Sequence, residues 1–125
     1  MKNVVATKEA PAAIGPYSQA IEYNGVLYVS GQIPVNPESG AVEAETIEGQ
    51  AEQSLKNVGA ILKEAGLTYE NVLKTTCFIA DMGDFAKFNE VYAKYFKEDA
   101  PARSCVAVKD LPKGVLCEVE VVAGK

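Results

Sequence analysis

The chain changes its hydrophobic period at Thr46, and that change constrains its fold more than any other feature. Before it, Tyr17–Tyr23 and Val26–Ser30 are β-prone runs joined by Asn24-Gly25. That dipeptide tolerates positive φ and is the strongest short hairpin signal. Pro34, Pro37 and Ser39-Gly40 then break the sheet. From Thr46 onward Ile47, Ala51, Leu55, Val58, Ile61, Leu62 and Ala65 recur at three and four, which places one apolar stripe on a helix. Thr46 suits its N-cap and Gly66 its end. Val72–Ile79 returns to β-branched strand composition. A second amphipathic helix follows, with Asp84 as N-cap and Phe85, Phe88, Tyr92, Tyr95 and Phe96 on one face. That stripe reads as helix-to-sheet packing and not as a cofactor site. Two further strands, Arg103–Lys109 and Val115–Val122, are joined by a turn containing Leu111-Pro112-Lys113-Gly114.

With Lys2–Ala6 as an edge strand, the order is β-β-β-α-β-α-β-β. This predicts one α+β domain over residues 1–125, a mixed β-sheet with two helices on one face. Two helices cover one face of such a sheet, yet Val26-Leu27-Tyr28-Val29 and Cys117–Val122 carry apolar residues toward both. The second face is therefore expected to be buried against other subunits.

Charge and chemistry narrow the function. Seventeen acidic against 12 basic residues give a net charge of −5, so the surface repels phosphate backbones and nucleic acid is not an expected partner. Met1–Ala6 lacks the apolar core of a secretory signal and no run reaches membrane-spanning length, so the expectation is a cytoplasmic protein with no membrane partner. Cys77, Cys105 and Cys117 form no Cys-x-x-Cys pair, and neither a disulfide framework nor a zinc site is signalled. The chain has no histidine. That removes Ser-His-Asp and Cys-His catalysis and the commonest metal ligand, so no metal site is expected.

Arg103 is the only arginine, beside eleven lysines within the 12 basic residues. Its planar fork grips a carboxylate or phosphate through two parallel hydrogen bonds, which a lysine cannot do. The alternative is one structural salt bridge. Strand alternation gives Glu118 and Glu120 a common face. If the last two strands pair around their connecting turn, Arg103 shares that non-helical face and the three converge on an intersubunit cleft. Spacing alone leaves open a register-setting Arg–Glu pair, and it does not rank Glu118 against Glu120. Gly15-Pro16-Tyr17-Ser18 and Ser30-Gly31-Gln32 are turns able to present backbone N–H groups to an anion. Cys105 has no evident base beside it and suits the core better than a nucleophile's role. Glu43, Glu45, Glu48 and Glu52 read as a solvated helix start.

Pro101-Ala102-Arg103-Ser104-Cys105-Val106, Leu111-Pro112-Lys113 and Glu118-Val119-Glu120 together resemble the RidA family, the reactive intermediate deaminases. Ala10–Tyr17, Ser30-Gly31-Gln32-Ile33-Pro34 and Lys74-Thr75-Thr76 extend the match over nearly the whole chain. The resemblance implies a chorismate-mutase-like homotrimer with three intersubunit clefts. It implies cofactor-independent hydrolysis of 2-imino acids, such as 2-iminopropanoate and 2-iminobutanoate, to 2-oxo acids and ammonia. The functional partners it implies are pyridoxal-phosphate-dependent serine and threonine dehydratases. By position, Arg103 would bind the substrate carboxylate and Glu118 would orient or activate water. Tyr17, Ser30, Gly31, Asn89 and Cys105 would line the pocket, Cys105 mainly through its backbone. A short Phe96–Pro101 segment and Cys117 in an aliphatic position depart from the family pattern. The competing functions are a non-catalytic trimer that binds 2-oxo acids or other small carboxylates, and an endoribonuclease or translation inhibitor.

Overall fold

A computed structural model describes residues 1–125. Six strands form one mixed sheet: β1 Asn3–Val5, β2 Ala20–Tyr23, β3 Val26–Gln32, β4 Val72–Ile79, β5 Ala102–Ala107 and β6 Cys117–Gly124. Helices α1, Ile47–Glu64, and α2, Phe85–Tyr95, cover one face. The spatial order is β1-β2-β3-β6-β4-β5, with β4 and β5 parallel and the other pairs antiparallel.

The helical period was legible. Ile47, Ala51, Leu55, Val58, Ile61 and Leu62 are all buried, and the Thr46 hydroxyl accepts from the Gly49 N–H at 3.1 Å. The β2–β3 hairpin turns through Asn24 and Gly25 at φ 50° and 78°. The first long strand begins only at Ala20, because the Tyr17 N–H closes a tight turn onto the Gly15 carbonyl and the chain stays irregular from there to Gln19. Asp84 makes no side-chain cap. A 3₁₀ turn, Met82–Asp84, precedes α2, and Asp81 caps that turn through the Gly83 N–H at 2.8 Å. Glu52 is not a solvated carboxylate either, for it accepts a hydrogen bond from the Tyr95 hydroxyl.

One expected pairing fails. β5 and β6 do not form a hairpin, since β4 lies between them. The connection from β4 through α2 to β5 is long enough for a crossover, which makes that pair parallel and leaves β5 at the sheet edge. Residues opposite one another in a ladder share a face. Arg103 lies opposite Thr75, and Thr75 opposite Val121, both buried beneath the helices. Glu118 lies opposite Phe78, and Glu120 opposite Thr76. Arg103 is therefore on the helix-covered face, and the two glutamates are on the other.

That other face has no covering element within the protomer. Tyr23, Tyr28, Leu73 and Val106 project from it with roughly half of each side chain exposed.

Gly59 illustrates how tightly the covered face is packed. The Tyr69 hydroxyl passes over it to donate to the Leu55 carbonyl at 2.7 Å, and a Cβ on Gly59 would sit 2.7 Å from the Tyr69 Cζ. Alanine favours a helix interior by about 1 kcal/mol over glycine. Displacing the ring and leaving its hydroxyl unpaired costs about 2–3 kcal/mol. Gly59→Ala is thus expected to lower stability by about 1–2 kcal/mol in urea unfolding, against its helix propensity.

Candidate active site

The residues singled out from the sequence fall into two clusters. The first is built on α2 and the edge strand β5. Arg103 donates from Nη1 to Asn89 Oδ1 at 2.7 Å, and its Cζ lies 4.6 Å from the Tyr92 ring centroid and 5.4 Å from that of Phe85. Tyr92 is anchored by a 2.8 Å hydrogen bond between its hydroxyl and that of Thr75. The guanidinium is therefore oriented by two rings and a neutral amide. No carboxylate is its hydrogen-bond partner, so the intrachain salt bridge is not what this arginine serves. Its fork is oriented yet not neutralised, which suits it to an anionic ligand.

Cys105 sits two residues on, opposite Cys77 and half-buried. Burial raises its thiol pKa, and Arg103 opposes that rise without cancelling it. Burial pushes Cys77 and Cys117 up to about 12. None of the three is a ready thiolate at neutral pH. No group of three or more cysteine and carboxylate side chains converges as a metal would require.

The second cluster occupies the uncovered face. Between Val29 and Gln32 the β3–β6 register shifts, so Ser30 and Gly31 together oppose the single residue Glu120. A β-bulge of this kind re-aims side chains. Here it puts Ser30 and Gly31 on the face that carries Glu118 and Glu120. Glu118 lies directly against Gly31, where an added Cβ would come within 2.8 Å of the Glu118 Cδ. Glycine is required there to seat the carboxylate, although its φ is ordinary. The Ser30 hydroxyl donates to the Ser18 carbonyl at 2.6 Å, and Tyr17, Ser30 and Glu120 line one depression on this face.

Burial, and then the negative charge of Glu120, raise the pKa of Glu118. A neighbouring arginine would do the opposite. The direction follows from the sheet topology. Arg103 and Glu118 are two strands and three positions apart, about 14 Å between Cα atoms, and on opposite faces. One protomer therefore presents two half-sites: Asn89, Arg103 and Cys105 at an edge, and Tyr17, Ser30, Gly31 and Glu118 on a face.

Two supporting residues escaped sequence reasoning. Tyr92 belonged to an aromatic stripe read only as packing, and Gln19 carried no motif. The buried Gln19 amide donates to the Thr7, Ala10 and Pro11 carbonyls and accepts from the Thr7 N–H, which fixes the arm leading to Tyr17.

Residues 7–125 match a family model described as endoribonuclease L-PSP. The chain is 46% identical over 123 residues to a 2-iminobutanoate/2-iminopropanoate deaminase of Mus musculus, covering 98% of this chain and 91% of that protein. It is 49% identical over 122 residues to Reactive Intermediate Deaminase A, chloroplastic, of Arabidopsis thaliana, covering 98% of this chain and 65% of that one. Among solved structures, E. coli TdcF with bound serine is 44% identical and covers 98% of each chain at a TM-score of 0.94.

Proposed function

The chain belongs to the RidA family, and from that premise we propose that it hydrolyses small 2-imino acids to 2-oxo acids and ammonia in clefts shared between subunits of a homotrimer. The observation that carries this reading is the Glu118 carboxylate, seated on the Gly31 bulge with its proton affinity raised. The relatives named as deaminases support the general activity. The exposed Tyr23, Tyr28, Leu73 and Val106 support burial of that face in an assembly. In such an assembly the Arg103 edge of one subunit would meet the Glu118 face of its neighbour, and the two half-sites would form one cleft.

In that cleft Arg103 holds the substrate carboxylate and fixes the imine carbon near Glu118. Glu118 takes a proton from water as the water oxygen bonds to that carbon and the C=N electron pair moves to nitrogen. That proton passes to nitrogen to give the carbinolamine; Glu118 then takes the hydroxyl proton and hands it to nitrogen as the C–N bond breaks, so that ammonia leaves as the C=O bond forms. An imine is already electrophilic, so positioning and one proton shuttle suffice. A raised pKa suits Glu118 to both halves of the shuttle. Because the substrate carboxylate neutralises Arg103, the incoming guanidinium does not undo it.

The test is a coupled assay in which a pyridoxal-phosphate-dependent dehydratase generates the imine and 2-oxo acid release is followed. Added protein should accelerate release, and an unchanged rate would overturn the proposal. Cys105 does no chemistry in this scheme. Cys105→Ser is expected to keep turnover within about threefold, and alkylation of the native thiol at neutral pH should be slow.

The serine bound to TdcF favours a second reading, a small-carboxylate receptor without turnover. It needs Arg103 and not Glu118. Against an endoribonuclease, the family model's description, stand the net charge of −5 and the single arginine. Steeply salt-dependent RNA binding would favour it instead.

A further inference from the structure

On the helix side of the protomer, a depression of about 550 Å3 opens between the turn that enters β4 and the loop that leaves α2. It shares no residue with either half-site, and the catalytic scheme does not use it. Tyr69, Tyr95 and Phe96 form its floor. Tyr69 packs on Tyr95 at 5.1 Å between ring centroids and edge-on against Phe96 at 5.8 Å, so the rings make one platform with no gap for an ion between them. The platform is held from behind. The Tyr69 hydroxyl donates to the Leu55 carbonyl and the Tyr95 hydroxyl to Glu52, so both phenol protons are spent on α1. Glu70, Lys97, Glu98 and Asp99 form the rim, and all four are exposed. Three carboxylates against one ammonium make that rim negative. Glu98 and Asp99 lie in the short Phe96–Pro101 segment, the one that departs from the family pattern.

We infer that this depression binds a linear aliphatic diammonium or polyammonium cation, with its methylenes on the ring platform and its ammonium groups on the rim carboxylates. The two parts of the site together select that chemistry. Aromatic faces attract cations and cover alkyl chains, while the carboxylates repel anions and gain nothing from a neutral ligand. A bare divalent metal is a poor fit. It would forgo the ring platform, and no three acidic side chains converge here as its coordination requires. The carboxylates come from two segments, Glu70 from the turn before β4 and Glu98 with Asp99 from the loop after α2. A cation charged at both ends can engage both segments at once, and a monoamine only one. Primary ammonium groups hold their hydration water strongly, which suits them to an exposed rim above an apolar floor.

The test is an amide NMR titration of the full-length protein with 1,4-diaminobutane, 1-aminobutane and Mg2+ at matched ionic strength. 1,4-Diaminobutane is expected to move the amides of Glu70 and Lys97–Asp99, and to bind about tenfold more tightly than either 1-aminobutane or Mg2+. The combined substitution Glu70→Gln, Glu98→Gln and Asp99→Asn should weaken the diamine about tenfold, and Tyr95→Leu about threefold. Asparagine tolerates the φ of 47° at Asp99, and all three sites are exposed, so the combined variant decides the outcome even if Tyr95→Leu does not fold. Binding of Mg2+ as tight as that of the diamine would overturn the inference and leave only an acidic cluster. So would equal affinity for 1-aminobutane, shifts confined to other amides, or an affinity unaltered by the combined substitution. No readout here involves imine turnover, so the inference stands or falls apart from the deamination reading.

Discussion

Arg103→Ala is expected to lower kcat/KM for 2-iminopropanoate by about 30- to 1000-fold, or 2–4 kcal/mol, while leaving the fold intact. The loss is large because the residue is already oriented. Asn89 holds one of its nitrogens, and Tyr92 and Phe85 fix the plane of the guanidinium, so little side-chain entropy remains to be lost when a carboxylate arrives. Arg103→Lys should recover little, because an ammonium can neither stack on Tyr92 in the same way nor bind a carboxylate through two parallel bonds. The fold survives because Arg103 sits on an edge strand and bonds to an exposed asparagine. Urea unfolding and steady-state kinetics on the same samples check both halves of the expectation.

Glu118→Gln is expected to lower kcat by about 100- to 10,000-fold, the usual worth of a positioned acid–base group, with 2-oxo acid affinity nearly unchanged. That pattern separates catalysis from mere reception of a carboxylate. The pH profile carries a sign. Glu118 must be ionised to take the proton from water, and burial together with Glu120 keeps it protonated to higher pH than an ordinary glutamate. The acid limb of kcat, which reports the substrate-bound enzyme with Arg103 neutralised, should therefore lie above that of an ordinary glutamate and vanish in Glu118→Gln. Stability moves the opposite way. A carboxyl whose pKa is higher in the folded than in the unfolded chain stabilises the fold fully below the unfolded pKa, and that contribution is lost as pH rises through the folded pKa. At neutral pH the ionised Glu118 thus carries a cost that glutamine lacks. The variant should melt at least as high as wild type there, and the difference should close in acid.

The local elements were legible in the sequence because their signals are local. The three-and-four spacing from Ile47 to Leu62, the Thr46 cap and Asn24-Gly25 each specify geometry within a few residues. The β5–β6 pairing was not legible for the same reason. Leu111–Gly114 looks like a hairpin turn, but strand partners are chosen by the whole sheet, and the α2 crossover places β4 between them. That one topological fact moved Arg103 to the face opposite Glu118 and reversed the direction of the Glu118 pKa shift from the one an adjacent arginine would impose. The bulge at Ser30-Gly31 was hidden too, since alternation assumes an unbroken register. Arg103 and Glu118 were singled out as residues, but their arrangement as two half-sites came only from the fold.

The shared cleft can be tested by mixing the two disabled proteins. Arg103→Ala and Glu118→Gln chains, unfolded together in equal amounts and refolded, form mixed trimers in which a competent cleft takes Arg103 from one subunit and Glu118 from its neighbour. Random assembly should restore about a quarter of wild-type clefts, and with them about a quarter of wild-type imine hydrolysis. A refolded mixture no more active than its two parents would contradict a site built from two subunits.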